Sequence, residues 1–181
     1  MLIDYLKKLR DLYLVKVKWS QYKIGKGFHA GARVSLWARD TLIIGEDFYI
    51  GRDSLIETDC IIGNHVMLGN KVAMIGRYDH NFQQPGTPIR LASQVRDKDY
   101  KWRGLHDVII VEDDVWIGYG TVVMGGVWIG TGSIIASGSI VTRDVEPYTI
   151  YAGSPAVKLK DRFETAEDLE KHKHLYKLNY Q

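Results

Sequence analysis

The chain has one cysteine, Cys60, in 181 residues. A disulfide framework within the chain is therefore excluded, and this thiol usage points to a reducing compartment. Neither sign of charge is in excess: 24 Lys and Arg stand against 22 Asp and Glu, a formal net charge of +2. That balance gives no support to nucleic-acid binding or to a polybasic membrane anchor. Apolar runs are short, and none could span a bilayer, so membrane insertion is not expected. Asp4, Lys7, Lys8, Arg10 and Asp11 break up the N-terminus, where a secretory signal needs an unbroken apolar stretch. The expectation is one cytoplasmic domain with room for a core.

What the chain does have is a six-residue period. An aliphatic residue recurs at Ile44, Ile50, Ile56, Ile62, Leu68 and Met74, and again at Val111, Ile117, Val123, Ile129, Ile135 and Val141. Ile24, Ala30 and Leu36 carry it more raggedly, and Gly follows at Gly25, Gly31, Gly45, Gly51, Gly63, Gly69, Gly118 and Gly130. A period of six fits neither an α-helix nor a long flat strand; it is the signature of a hexapeptide β-helix. From Ile56 onward a small or β-branched residue stands two residues before the aliphatic, such as Ser54, Val66, Thr121 or Ser139. A strand alternates its faces, so these two positions form the inward pair. Cys60 holds such a slot and reads as a packed core thiol. The glycines are expected at tight corners needing positive φ.

The position between the inward pair should face outward, yet it holds Tyr49, Ile61, Met67, Trp116, Val122, Trp128, Ile134 and Ile140. Apolar area on this scale predicts burial between subunits, and a three-faced prism suits a homotrimer. Residues 1–16 read as an amphipathic cap helix, with Leu2, Leu6, Leu9 and Tyr13 on one face. The β-helix domain spans 17–163, with an off-beat insertion at 77–108. A helical tail occupies 164–181, starting at a capping box of Thr165 and Asp168.

Three stretches complete the pattern: Asp79-His80-Asn81-Phe82 in the insertion, Asp113-Asp114-Val115-Trp116-Ile117-Gly118 in the coil, and Gly153-Ser154-Pro155-Ala156 in the tail. With these, the chain resembles the left-handed β-helix (hexapeptide-repeat) acyltransferases. Within them it is most similar to the sugar and polysaccharide O-acetyltransferases near the galactoside and maltose enzymes. It departs from them at Ser154, where Asn is usual, at Ala136, where Gly is frequent, and in lacking most of their helical N-terminal region.

The resemblance implies an all-β fold, acetyl-CoA as donor, a sugar or saccharide acceptor, and His80 as catalytic base. A neutral imidazole suits removal of a hydroxyl proton. Asp79 is the candidate to orient it, and Tyr78, Asn81 and Phe82 are candidates to hold the acceptor. For the donor the resemblance points to backbone groups of Tyr119 and Ser137, the Trp116 side chain, and the tail residues Gly153, Ser154, Pro155 and Ala156. Arg143, Lys158 and Lys160 are candidates for the CoA phosphates. Arg90, Arg96, Lys98, Lys101 and Arg103 make the insertion basic and read as a solvated face. His65, His80 and His106 lack the spacing of a zinc site, so no metal is expected. The alternatives are an N-acetyltransferase acting on an amino sugar and a β-helix scaffold without activity.

Overall fold

A computed structural model describes residues 2–180, with the side chains described from residue 5. The chain winds as a parallel β-helix of five complete turns, with part of a further one, between two helices. The opening coil holds β1 (Lys23–Ile24), β2 (His29–Ala30) and β3 (Ser35–Trp37). The next holds β4 (Leu42–Ile44), β5 (Tyr49–Ile50) and β6 (Leu55–Glu57), and the third β7 (Cys60–Ile62), β8 (Met67–Leu68) and β9 (Ala73–Ile75). After the insertion come β10 (Ile109–Val111), β11 (Trp116–Ile117) and β12 (Val122–Met124), then β13 (Trp128–Ile129), β14 (Ile134–Ile135) and β15 (Ile140–Val141). Every third strand stacks, which makes three sheets. The first is β1-β4-β7-β10-β13, and the third is β3-β6-β9-β12-β15. The second, β2-β5-β8-β11-β14, is extended by β16 (Thr149–Gly153) and antiparallel β17 (Ala156–Asp161).

The inward pairs are where the period puts them. Ile50, Ile56, Leu68, Met74, Ile117, Val123, Ile129 and Ile135 have no exposure, and the small partners Ser54, Cys60, Thr121, Ser133 and Ser139 are buried beside them. Ser54 Oγ donates to the Gly69 carbonyl at 3.0 Å, so its hydroxyl is satisfied inside the prism. Burial also raises the Cys60 thiol pKa, as fits a packed thiol.

The glycines act differently from the expectation. Positive φ falls three residues after the aliphatic, at Asp47, Asp53, His65, Lys71, Asp114, Gly120 and Gly132. The glycine that directly follows the aliphatic is needed for stacking. A Cβ on Gly45 would lie 2.5 Å from the Gly63 carbonyl oxygen, and one on Gly118 would lie 2.6 Å from the Ser137 nitrogen. Successive coils approach so closely at these corners that no side chain fits between their backbones.

The N-terminal end also departs in detail. α1 (Leu2–Tyr13) continues into a π-helical turn over Leu14–Lys18. Its Leu6, Leu9 and Tyr13 face solvent; the first coil is covered instead by buried Asp11 and Trp19, with Leu14 and Val15 packed against the core. At the other end, α2 (Ala166–Tyr180) occupies the expected helical tail. Thr165 Oγ1 accepts from the Asp168 amide at 3.0 Å and donates to the Asp168 carboxylate at 2.7 Å. The helix returns to the corner between the first two sheets. There Asp114 takes Arg162 at 2.6 Å and His172 at 3.1 Å, and the His65 ring meets the rings of Tyr176 and Tyr180.

Candidate active site

The insertion leaves the coil after β9, in the third sheet, and returns at β10, in the first. It therefore hangs from the edge between those two sheets. Its arms pair back on themselves: His80 bridges Gln94, the Asn81 amide donates to the Ser93 carbonyl at 2.8 Å, and the Val95 amide to Asp79 at 2.9 Å. Buried Tyr100 pins the base, its hydroxyl donating to the carbonyls of Tyr78 and Arg103 at 2.9 and 3.0 Å. The coil grips the far arm. Arg39 donates to the carbonyls of Val95 and Asp97, and the Arg96 guanidinium lies 4.0 Å from the centre of the Trp37 ring and 3.4 Å from the Glu57 carboxylate.

These contacts enclose a crevice of roughly 90 Å³, lined by Trp37, Glu57, Asp79, His80, Gln94 and Arg96. His80 and Asp79 thus meet in one place, although no hydrogen bond joins their side chains. The Asp79 carboxyl is held above its ordinary pKa, first by desolvation and then by Glu57, while His80 and Arg96 pull it down. The Asp79 carboxyl therefore lies within charge–charge reach of the His80 ring. Tyr78 and Phe82 lie just outside the crevice, in an aromatic cluster with Trp102; Phe82 and Trp102 meet edge to face at 4.8 Å. Asn81 accepts from the Gln83 amide at 3.2 Å and shapes the turn.

The donor candidates stand elsewhere on the prism. Tyr119 and Ser137 occupy the corner between the second and third sheets, and Trp116, 47 % exposed, faces out from the second. The Tyr119 carbonyl accepts from the Gly138 amide at 2.8 Å, so that group is already used within the coil. Gly153, Ser154, Pro155 and Ala156 form the tip of the β16–β17 hairpin at the end of the second sheet, where the Gly153 amide donates to Ser139 Oγ at 3.2 Å. Arg143 follows β15, at the edge from which the insertion hangs, where Arg77 donates to the Thr142 carbonyl. Lys158 is not a free cation: Glu146 and Asp161 hold its ammonium at 3.0 and 2.9 Å and raise its pKa. One chain therefore keeps the candidate base and the candidate donor groove on different edges.

Trp37, Glu57 and Gln94 escape the motif reading. A signal for the first two exists. In the first and second sheets Gly follows most inward aliphatics, but in the third the follower is Trp37, Glu57, Ile75, Met124 or Thr142. In the third sheet the position directly after the inward aliphatic therefore carries a side chain in every coil.

Comparison with known proteins agrees with this architecture. The family described as "Bacterial transferase hexapeptide (six repeats)" matches residues 109–143. Among curated relatives, a chloramphenicol acetyltransferase of Klebsiella aerogenes is 52% identical over 58 residues, which are 32% of this chain and 28% of that protein. The matched stretch thus spans little more than a quarter of that relative. Among solved structures, a maltose O-acetyltransferase from Clostridium difficile 630 superposes with a TM-score of 0.61 at 24% identity, over 78% of this chain and 70% of that one. A hexapeptide-repeat-containing acetyltransferase from Vibrio cholerae O1 biovar eltor, solved with acetyl coenzyme A, superposes with a TM-score of 0.60 at 26% identity, over 78% and 72%. Residues 109–143 thus carry the hexapeptide repeats of that transferase family, and the rest of the chain shares the fold of these acetyltransferases.

Proposed function

We propose that the chain is an acetyl-CoA-dependent O-acetyltransferase acting on a hydroxyl of a sugar or surface-polysaccharide precursor in the cytoplasm. The observation that carries this reading is His80, presented by the insertion at the mouth of a crevice shared with Asp79 and Glu57. The coil beneath it is common to acetyltransferases, one of them solved with acetyl-CoA. On this reading neutral His80 takes the hydroxyl proton, the oxygen attacks the thioester carbonyl, and the proton passes to the departing CoA thiolate. Position and a base are all the protein has to add, because the thioester is already activated.

The separation of base and donor groove supports a site shared between two copies. A neighbour packed side by side would bring its Tyr119–Ser137 corner to the His80 edge. The exposed Tyr49, Met67 and Trp116, in register along the second sheet, are the apolar surface such packing would cover. Three faces suit three copies. The carboxylates of Asp79 and Glu57 also favour a second reading, in which the acceptor is the amine of an amino sugar, attracted as its ammonium.

The test is a thermal shift on adding acetyl-CoA, followed by thiol release with hydroxyl and amino sugars. Acetyl-CoA should raise the midpoint of wild type and His80→Ala alike. Transfer should fall by about 10²–10⁴ in His80→Ala only. Mixing His80→Ala chains with chains blocked at Ser137 should restore part of the activity. A missing thermal shift would remove the transferase reading and leave a scaffold.

A further inference from the structure

α1 presents its polar side to the protein. Asp11 is buried against the first coil, where it accepts from Arg10 and meets His29 Nδ1 at 2.6 Å. At 3.6 residues per turn, Tyr5, Leu6, Leu9, Leu12 and Tyr13 fall on the opposite side. Their exposures run from 45 to 60%. Trp19, 3% exposed, anchors the following turn by packing edge to face on Phe28 at 5.9 Å.

Charge is segregated in the same region. Residues 1–26 carry seven Lys or Arg, at positions 7, 8, 10, 16, 18, 23 and 26, against Asp4 and Asp11. With +5 here and +2 over the whole chain, the remainder is −3. The near-neutral total therefore conceals one basic end. A groove of about 420 Å³ opens between α1 and the first coil, lined by Leu12, Ile24 and Phe28, by Lys8, Lys16 and Lys26, and by Asp11, which Arg10 pairs.

We propose that α1 is an interfacial helix that seats this end of the prism on an anionic lipid bilayer. The Tyr5–Tyr13 stripe would enter the headgroup–acyl boundary, and the lysines would meet lipid phosphates. An apolar face bordered by Lys and Tyr is the pattern of a helix lying in the membrane plane. No helix among the described residues is long and apolar enough to cross a membrane, so the helix lies on the surface. Charge decides between occupants. A second copy docked helix to helix would bring one basic end against another, whereas an anionic surface turns the same positive charge into attraction. The inference does not depend on the acetyltransferase reading.

The test is flotation of the full chain with vesicles of phosphatidylcholine alone or mixed with phosphatidylglycerol. The chain should float with the mixed vesicles only, and less so as salt rises. Lys8→Ser with Lys16→Ser should weaken partitioning by about 25-fold, at about fivefold per lysine. Leu9→Asp should abolish it with the thermal midpoint unchanged. Absence of flotation with either vesicle would overturn the proposal. So would conversion of an oligomer to monomer by Leu9→Asp in lipid-free buffer, which would assign the stripe to a second copy.

Discussion

The guanidinium of Arg96, in the insertion, lies 4.0 Å from the centre of the Trp37 ring, in the opening coil. Fifty-nine residues of sequence separate the two, and their contact forms one wall of the crevice beside His80. A cation over an indole contributes about 0.5–2 kcal/mol depending on its desolvation. Arg96→Ala should therefore open the insertion several-fold more often. Limited proteolysis should cut within 77–108 faster, transfer should fall, and the melting midpoint of the coil should hardly move. An unchanged cleavage rate would show that Arg39 and Tyr100 hold the loop without Arg96.

Gly118→Ala and Gly138→Ala should part company. At Gly118 an added Cβ would meet the Ser137 nitrogen at 2.6 Å and the Ile135 oxygen at 2.8 Å, so two stacked coils must separate. Overpacking of this kind costs about 1–3 kcal/mol or more. Gly138 has φ +74° but open space around it, so its cost is the left-handed backbone alone, about 1–2 kcal/mol. Melting of the two variants should rank Gly118→Ala as the less stable.

Glu112 ties two coils together. Its carboxylate accepts from the Thr131 amide at 2.8 Å, the Thr131 hydroxyl at 2.6 Å and Trp128 Nε1 at 3.1 Å. Desolvation works against its ionised form, but these hydrogen bonds outweigh it and its pKa is lowered. A lowered acid contributes stability above its unfolded value and loses it as pH falls through the folded one. Glu112→Gln should cost about 1 kcal/mol at neutral pH after allowance for solvent. The wild-type and variant melting curves should converge below the ordinary glutamate range.

Asp79 has the opposite sign. Its folded pKa is raised, so folding opposes its ionised form, and it takes stability away as pH rises above its unfolded value. Asp79→Asn should melt slightly higher than wild type at neutral pH while transferring acetyl groups more slowly. A lower midpoint would mean that the carboxylate is a structural anchor.

The contrast between coil and site has a physical basis. A hexapeptide coil is built from nearest neighbours, so its rules repeat and can be read from one strand at a time. Ile50, Ile56 and Ser54 each sit where the six-residue period requires, and Thr165 caps α2 by accepting from the Asp168 amide. The motif around His80 also names its own loop. Trp37 and Glu57 belong to the site only because two earlier coils carry them up the third sheet to the insertion, a distance no local pattern spans. The outward turn of Leu6 and Leu9 is equally invisible in one dimension. Helical periodicity defines an apolar face, but the pairing of Asp11 with His29 chose which face meets the protein. The amino-acid order alone determined the coil, its core and the candidate base. Tertiary structure decided what stands around that base, and which surfaces were left uncovered, because both depend on contacts between residues far apart in the chain.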